Sequence, residues 1–121
     1  MTMTITVLYG IANCDTVKRA RAWLGARGIA HDFHDFKKLG VPEAPLGRWL
    51  AAAGRERLLN RQGTTWRKLE EAQRLAVVDD ASARRLMLAQ PSVIKRPVVE
   101  WADGRLTVGF DEAAWASAFK A

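Results

Sequence analysis

The first third of the chain alternates between strand-type and helix-type hydrophobic patterns. Residues 4–9 are apolar at nearly every position after Ile5, which is typical of a central strand buried on both faces. Residues 15–27 carry apolar side chains at helical spacing, and Gly28 is placed to end that helix. Residues 29–36 alternate apolar and polar side chains and predict a second strand. The start of the chain is therefore predicted to be a β-α-β unit.

The middle of the chain shows helical patterns separated by turn residues. Residues 39–45 contain two prolines and a glycine and predict a loop, after which a short helix runs to Gly54. A second helix is predicted from Thr65, and a third is capped by Asp79 or Asp80. The expected inward-facing residues are Leu46, Trp49, Leu50 and Ala53, then Trp66, Leu69, Ala72 and Ala76, then Ala83, Leu86 and Met87.

The last third predicts a hairpin and a final helix. Residues 93–101 are rich in β-branched side chains, and Asp103-Gly104 is a hairpin turn signal. Residues 106–108 are predicted to form the returning strand, and a helix begins at Asp111. The expected inward-facing residues of that helix are Ala114, Trp115, Ala118 and Phe119.

The order of these elements indicates the class of fold. A β-α-β unit followed by a β-β-α unit builds a mixed sheet with helices on both faces. We therefore expect an α/β fold on the thioredoxin plan, with a four-stranded mixed sheet and an all-helical insertion at about residues 40–91 between its two halves. No linker, repeat or low-complexity segment divides the sequence, so residues 1–121 are predicted to form a single domain.

The composition narrows the classes of partner. The chain is 49% hydrophobic and 26% charged, which is ordinary for a globular protein. Its formal net charge of +6 is compatible with an anionic partner. The basic residues are dispersed and form no run of five or more, which favours solvated helix faces and argues against nucleic-acid binding.

Sequence features also predict the compartment. No apolar run approaches the roughly 18 residues that span a membrane. The first residues lack the basic and apolar regions of a signal peptide, and a chain with one cysteine forms no internal disulfide. We therefore expect a cytoplasmic protein without a membrane association.

That single cysteine, Cys14, lies where the first strand is predicted to turn into the first helix. Free backbone N–H groups and the helix dipole stabilise a thiolate at this position and lower its pKa below the usual value of about 8.5. Lys18, one helical turn later, adds positive charge, whereas the carboxylate of Asp15 opposes a thiolate. The alternative is a buried, inert cysteine.

Three segments, residues 9–24, 58–61 and 92–99, then converge on one family. They read Tyr9-Gly-Ile-Ala-Asn-Cys14-Asp-Thr-Val-Lys-Arg-Ala-Arg-Ala-Trp23-Leu24, Leu58-Leu59-Asn60-Arg61 and Ser92-Val-Ile-Lys-Arg96-Pro97-Val-Val. Together they resemble the ArsC/Spx family of thioredoxin-like proteins. The Asp-Thr pair after the cysteine resembles the YffB-like subgroup of that family.

The resemblance implies roles for four residues. Cys14 falls on the family's catalytic cysteine. Arg61 falls on or beside an arginine that contacts the oxyanion in arsenate reductases, and Arg96 falls on a second such arginine. Pro97 falls on the cis-proline that faces the active cysteine in this fold.

Two departures from the family pattern affect the expected activity. Spx-type members carry a second cysteine three residues after the first, where this chain has Val17, so no local disulfide switch can form. Arsenate reductases carry a third arginine in the strand after the hairpin, and residues 106–110 contain none. Arg105 is nearby, but it lies at the turn and does not take over that role.

The resulting hypothesis is a glutathione-dependent thiol–disulfide oxidoreductase. Cys14 attacks a disulfide or a glutathionylated substrate, and an external thiol resolves the mixed disulfide. Glutathione is the expected co-substrate, since Arg61 and Arg96 can each hold a carboxylate and the Pro97 segment can offer backbone groups to a peptide. No tightly bound cofactor is expected, and glutaredoxin is a further candidate partner.

Neighbouring polar residues have weaker assignments. Asn13 and Thr16 are expected to cap the first helix or to contact the Cys14 sulfur, and Lys18 to support the thiolate or to be solvated. His31 and His34 are predicted to point to opposite faces of a strand, so no metal site is expected. The five tryptophans are interpreted as core anchors.

Two other functions stay open. One is an arsenate reductase, which the absent third arginine disfavours. The other is a non-enzymatic, Spx-like transcriptional regulator that binds RNA polymerase, for which the net charge of +6 would suit an acidic surface.

Overall fold

A mixed four-stranded sheet organises the computed structural model, which describes residues 5–119. Its strands are β1 (Thr6–Gly10), β2 (His31–Asp35), β3 (Val98–Glu100) and β4 (Leu106–Val108). They lie in the order β2-β1-β3-β4, with β1 parallel to β2, and β3 antiparallel to both β1 and β4. This sheet confirms the predicted α/β fold on the thioredoxin plan. Residue 4, where the first strand was predicted to begin, lies outside the described residues.

Eight helices accompany the sheet in the described part of the chain. They are α1 (Asp15–Ala26), α2 (Phe36–Leu39), α3 (Glu43–Ala53), α4 (Arg55–Leu58), α5 (Thr64–Lys68), α6 (Glu71–Leu75), α7 (Asp80–Ala89) and α8 (Glu112–Ala118), with a 3-10 turn at Pro91–Val93. Within residues 5–119, no helix is long and apolar enough to cross a bilayer.

The chain divides into two compact units. The sheet, α1 and α8 belong to a sheet unit made of residues 5–36 and 96–119, and Lys37–Lys95 form a helical unit. The helical unit spans the region in which the insertion, at about residues 40–91, was predicted. That the whole chain acts as a single domain stays a prediction.

Aromatic packing builds the core of the sheet unit. The apolar face of α1 meets the sheet and α8 in a cluster of buried residues, which are Leu8, Val17, Ala20, Trp23, Leu24, Val99, Trp101, Trp115 and Phe119. The rings of Trp101 and Phe119 stack with centroids 3.5 Å apart, and Trp115 meets Trp101 edge-on at 4.9 Å. Burial of all five tryptophans confirms their interpretation as core anchors.

Glycine and aspartate shape the hairpin between β3 and β4 as predicted. Gly104 has a φ of +93°, which favours glycine, and Asp103 accepts a hydrogen bond from the N–H of Arg105 at 2.9 Å. The β-rich stretch predicted at residues 93–101 was wrong in extent, because the strand before the turn is shorter. It begins only at Val98, because Pro97 has no N–H to donate to a sheet and Pro91–Val93 forms a 3-10 turn.

Several predictions in the helical unit were wrong in detail. Residues 43–45 are the first turn of α3 and not a loop, since a proline at this end of a helix interrupts no internal hydrogen bond. The helix predicted from Thr65 is two short helices, because Leu69 is extended between α5 and α6. Ala72 and Ala76 are consequently exposed.

Two alanines of α8 were also assigned to the wrong face. Ala114 and Ala118 are exposed, whereas Trp115 and Phe119 are buried as predicted. A small alanine side chain gains little from burial, so the two large aromatic residues decide which face turns inward.

Positive charge is concentrated in the helical unit. Lys37–Lys95 contain 12 lysines and arginines against 6 acidic residues, whereas the rest of the sequence contains 7 of each. The net charge of +6 therefore belongs to the helical unit, and any positive potential within the sheet unit has to come from individual side chains.

Leu24→Ala tests how far the sheet unit relies on α1. Leu24 is fully buried in the aromatic core, so we expect the variant to lower the free energy of unfolding by about 2–5 kcal/mol. Chemical denaturation followed by circular dichroism measures the change. The matched control, Leu75→Ala, truncates a leucine that is 68% exposed and should change stability by less than about 0.5 kcal/mol. Equal losses in both variants would contradict this account of the core.

Candidate active site

Cys14 is the N-cap residue of α1 and follows β1 after a three-residue loop. Its backbone is extended, with φ −141° and ψ 120°, and its side chain is half-buried. Asn13 is exposed and precedes the cap position, so its assignment as the helix cap was wrong. The helix begins at Asp15, one residue later than a cap at Asn13 would require.

Backbone N–H groups of the first helical turn face the Cys14 sulfur. The N–H groups of Thr16 and Val17, the two positions that an N-cap side chain normally satisfies, lower the pKa of the thiol, although no hydrogen bond of normal geometry joins them to the Cys14 side chain. Val17 was singled out in the sequence only because it replaces a second cysteine. The sequence feature that could have indicated the contribution of its backbone N–H is its position three residues after a cysteine that caps the helix.

The environment of Cys14 favours the thiolate. Partial burial raises the pKa of the thiol, but the backbone N–H of Val17, the donors and charge of the Arg96 guanidinium, and the backbone N–H of Thr16 together outweigh it. The pKa of Cys14 is therefore below that of an ordinary thiol. A lowered pKa favours a reactive cysteine over the inert alternative.

Arg96 reaches Cys14 from the segment that leads into β3. The peptide bond between Arg96 and Pro97 is cis, and the carbonyl oxygen of the buried Pro97 accepts a hydrogen bond from the Gly109 N–H at 2.8 Å. Pairing of Val98 with Tyr9 then ties this segment to β1. The structure thus brings the Arg96 side chain to Cys14, and Arg96 is followed by a cis proline, as the family resemblance implied.

Thr16 and Lys18 contribute less than their side chains suggested. The Thr16 hydroxyl accepts a weak hydrogen bond from Arg19 at 3.4 Å, so only its backbone N–H serves the sulfur. The Lys18 side chain is exposed, and among the described residues it is not one of the groups that lower the pKa of Cys14. Solvation is the better description of Lys18.

Arg61 lies in the helical unit, where its contacts are local. Its guanidinium forms an ion pair with Glu56 at 3.0 Å and lies over the Trp66 ring, 4.9 Å from the centroid. The proposed part of Arg61 in ligand binding stays a prediction.

Arg105 is occupied by contacts that stabilise the fold. It pairs with Asp103 at 2.6 Å, donates to the Ala118 carbonyl at 3.1 Å and lies over the Phe119 ring. It therefore does not supply the third arginine of an arsenate site. Over residues 5–119, no cluster of three potential metal-ligating side chains occurs, and the His31 ring contacts the carbonyl of Ile29 instead.

Comparisons with known proteins match nearly the whole chain to one family. The sequence model of the ArsC family matches residues 9–118. An uncharacterised protein of Haemophilus influenzae is 38% identical over 115 residues, which cover 95% of this chain and 98% of that protein. The solved structure of a YffB protein is 55% identical, with a TM-score of 0.86, over 93% of this chain and 97% of that one. An arsenate reductase (ArsC) related protein from Brucella melitensis is 52% identical, with a TM-score of 0.74, over 100% and 99% of the two chains.

Arg96→Gln tests the electrostatic part of the site. Loss of the guanidinium removes a charge and a charged donor from the thiolate, so the pKa of Cys14 should rise. Alkylation by iodoacetamide at neutral pH should slow by about threefold or more, and the two rates should converge at alkaline pH, where both thiols are ionised.

Arg27→Gln is the matched control for Arg96→Gln. Arg27 lies at the opposite end of α1, where its guanidinium stacks 4.1 Å from the Trp23 ring centroid. This variant should alkylate at the wild-type rate across the pH range. A slower rate in both variants would show that net charge, and not the Arg96 contact, controls the thiol.

Proposed function

The chain belongs to the ArsC family, and we propose that it is a glutathione-dependent thiol–disulfide oxidoreductase with one nucleophilic cysteine. The observation that carries this proposal is the place of Cys14 at the N-terminus of α1, with Arg96 beside its sulfur and a thiol pKa below the ordinary value. The thiolate is the attacking species in thiol–disulfide exchange, so this site favours the first step of such a reaction.

The proposed cycle has two exchange steps. In the first, the Cys14 thiolate attacks the glutathione sulfur of a glutathionylated substrate, a Cys14–glutathione disulfide forms, and the substrate leaves as a thiolate. In the second, the thiolate of a free glutathione attacks the glutathione sulfur of that disulfide, which releases oxidised glutathione and regenerates the Cys14 thiolate. The external thiol is required because the sequence contains no other cysteine.

Arg96 has a second part in the proposal. A guanidinium presents several N–H donors in a planar fork, so one edge can face the Cys14 sulfur while another binds a carboxylate of glutathione. The segment that contains the cis Arg96–Pro97 peptide bond approaches the sulfur through Arg96, and we propose that the peptide backbone of glutathione lies along it. Glutathione is therefore proposed as a co-substrate that binds and leaves, and not as a resident cofactor.

The single cysteine also supports a place in the reducing cytoplasm, where glutathione is abundant. A glutaredoxin is the second candidate for the resolving thiol, because an exposed dithiol protein can replace glutathione in the second step.

Arsenate reduction is the alternative, and the Brucella relative that is named as arsenate reductase related favours it. An arsenate oxyanion would find Cys14 and Arg96 in place. Against it, Arg105 is held by Asp103 and the Ala118 carbonyl, so the strand after the hairpin offers no third arginine. We expect weak or no turnover of arsenate.

Trapping with oxidised glutathione tests the proposed function directly. Incubation at neutral pH should add the mass of one glutathione to the wild-type protein, and a reducing agent should remove it. Intact-mass spectrometry measures both events. Cys14→Ser, which keeps a small polar side chain at the cap position, should gain no mass.

The outcome separates the candidate functions. A wild-type protein that remains unmodified, while turning over arsenate with glutathione and glutaredoxin, would reject the disulfide reaction in favour of arsenate reduction. If the protein is neither modified by glutathione nor able to turn over arsenate, Cys14 has no role as a redox nucleophile.

A further inference from the structure

Gly10 ends β1 at a point where the backbone and the first turn of α1 come unusually close. A Cβ atom at Gly10 would lie 2.8 Å from Cγ2 of Val17 and 3.4 Å from its Cγ1. Carbon atoms in proteins do not approach to 2.8 Å, so a side chain at Gly10 would have to displace Val17. The contact matters because the backbone N–H of Val17 faces the Cys14 sulfur and favours the thiolate.

We propose that Gly10 is a positioning residue for the Cys14 thiol, since its missing side chain lets Val17 pack where the Val17 N–H faces the sulfur. This inference rests on the proposed function, because it assigns Gly10 a part in the same thiol site. It does not depend on which disulfide or oxyanion the thiol attacks.

Neither partner in the contact can yield easily. Val17 is fully buried in the aromatic core, and a β-branched side chain has little freedom to rotate about χ1. Gly10 is held by the register of the sheet, where it lies opposite Asp35 of β2. A methyl group at Gly10 would therefore push the first turn of α1 as a whole.

The size of that displacement is enough to change how the Val17 N–H stabilises the thiolate. Restoring an ordinary contact distance of 3.4 Å requires a shift of about 0.6 Å between Gly10 and Val17. A displacement of this size at the start of α1 moves the Val17 N–H relative to the sulfur, and the stabilisation of a charge by a nearby N–H group falls steeply with distance and poor alignment.

The test compares Gly10→Ala with a matched control in the same unit. Gly25→Ala makes the same chemical change within α1, where an added Cβ would meet nothing within 4 Å. Ultraviolet absorbance of the thiolate, followed against pH, reports on the sulfur itself. Gly10→Ala should move the titration to higher pH and slow alkylation at neutral pH by about fivefold, whereas Gly25→Ala should leave both unchanged.

A rescue variant distinguishes positioning from simple destabilisation. Val17→Ala removes the two methyl carbons that an alanine at position 10 would strike, yet keeps the backbone N–H. The double variant Gly10→Ala/Val17→Ala should therefore titrate as Val17→Ala does, whatever its thermal stability. If Gly10→Ala does not fold, this comparison alone decides the question.

Three results would overturn the proposal. They are a folded Gly10→Ala variant with the wild-type thiol titration, a shift of equal size in Gly25→Ala, and a double variant that titrates at higher pH than Val17→Ala. Failure of the proposed function gives a different result, in which the wild-type protein takes up no glutathione while the titration still shifts in Gly10→Ala.

Discussion

The free N–H groups at the start of α1 need a negatively polarised neighbour, and in this chain two of them face the sulfur of Cys14 and favour its thiolate. Val17, which carries one of these N–H groups, is also a fully buried member of the aromatic core. Core packing and thiol chemistry therefore meet in one helical turn. A change that loosens the packing of α1 on the sheet also moves the donors that stabilise the thiolate.

The sheet supplies the second half of the site through its register. Arg96 and Pro97 immediately precede the strand in which Val98 pairs with Tyr9, and Cys14 follows Tyr9 by five residues. One pairing thus fixes the distance between two segments that are far apart in sequence. The bond from Gly109 to the Pro97 carbonyl holds the other side of the segment, so Arg96 reaches the sulfur from an anchored backbone.

The sequence predicted the elements that depend on strong local signals. Three such elements are found in the structure, and each has a specific physical cause. They are the four-residue apolar face of α1, the glycine at the end of that helix and the Asp103-Gly104 turn. Alanines gave poor predictions, because Ala72, Ala76, Ala114 and Ala118 fit a helical face without gaining much from burial. The break between α5 and α6 at Leu69 was also missed, because the helical spacing of apolar residues continues across it.

The candidate site was only partly predictable. The position of Cys14 between a strand and a helix indicates a lowered pKa, but the approach of Arg96 from a distant segment came only from the family resemblance. Asparagine is a common helix-capping residue, so the residue type of Asn13 predicts a cap there. Cys14 is the cap because the helix begins at Asp15, and the hydrophobic pattern does not fix that residue. The close contact between Gly10 and Val17 leaves no trace in a hydrophobic pattern.

The lone, half-buried sulfur also has a consequence for damage by oxidants. A cysteine oxidised to the sulfenic acid is normally rescued by condensing with a nearby thiol, and continued oxidation to the sulfinic acid is irreversible in most proteins. Cys14 has no second cysteine in the chain with which to condense. Whether oxidation of Cys14 by peroxide stops at the sulfenic acid therefore depends on how fast an external thiol reacts with it. The partial burial of the sulfur restricts access for both peroxide and that thiol, so it slows the oxidation and its reversal alike.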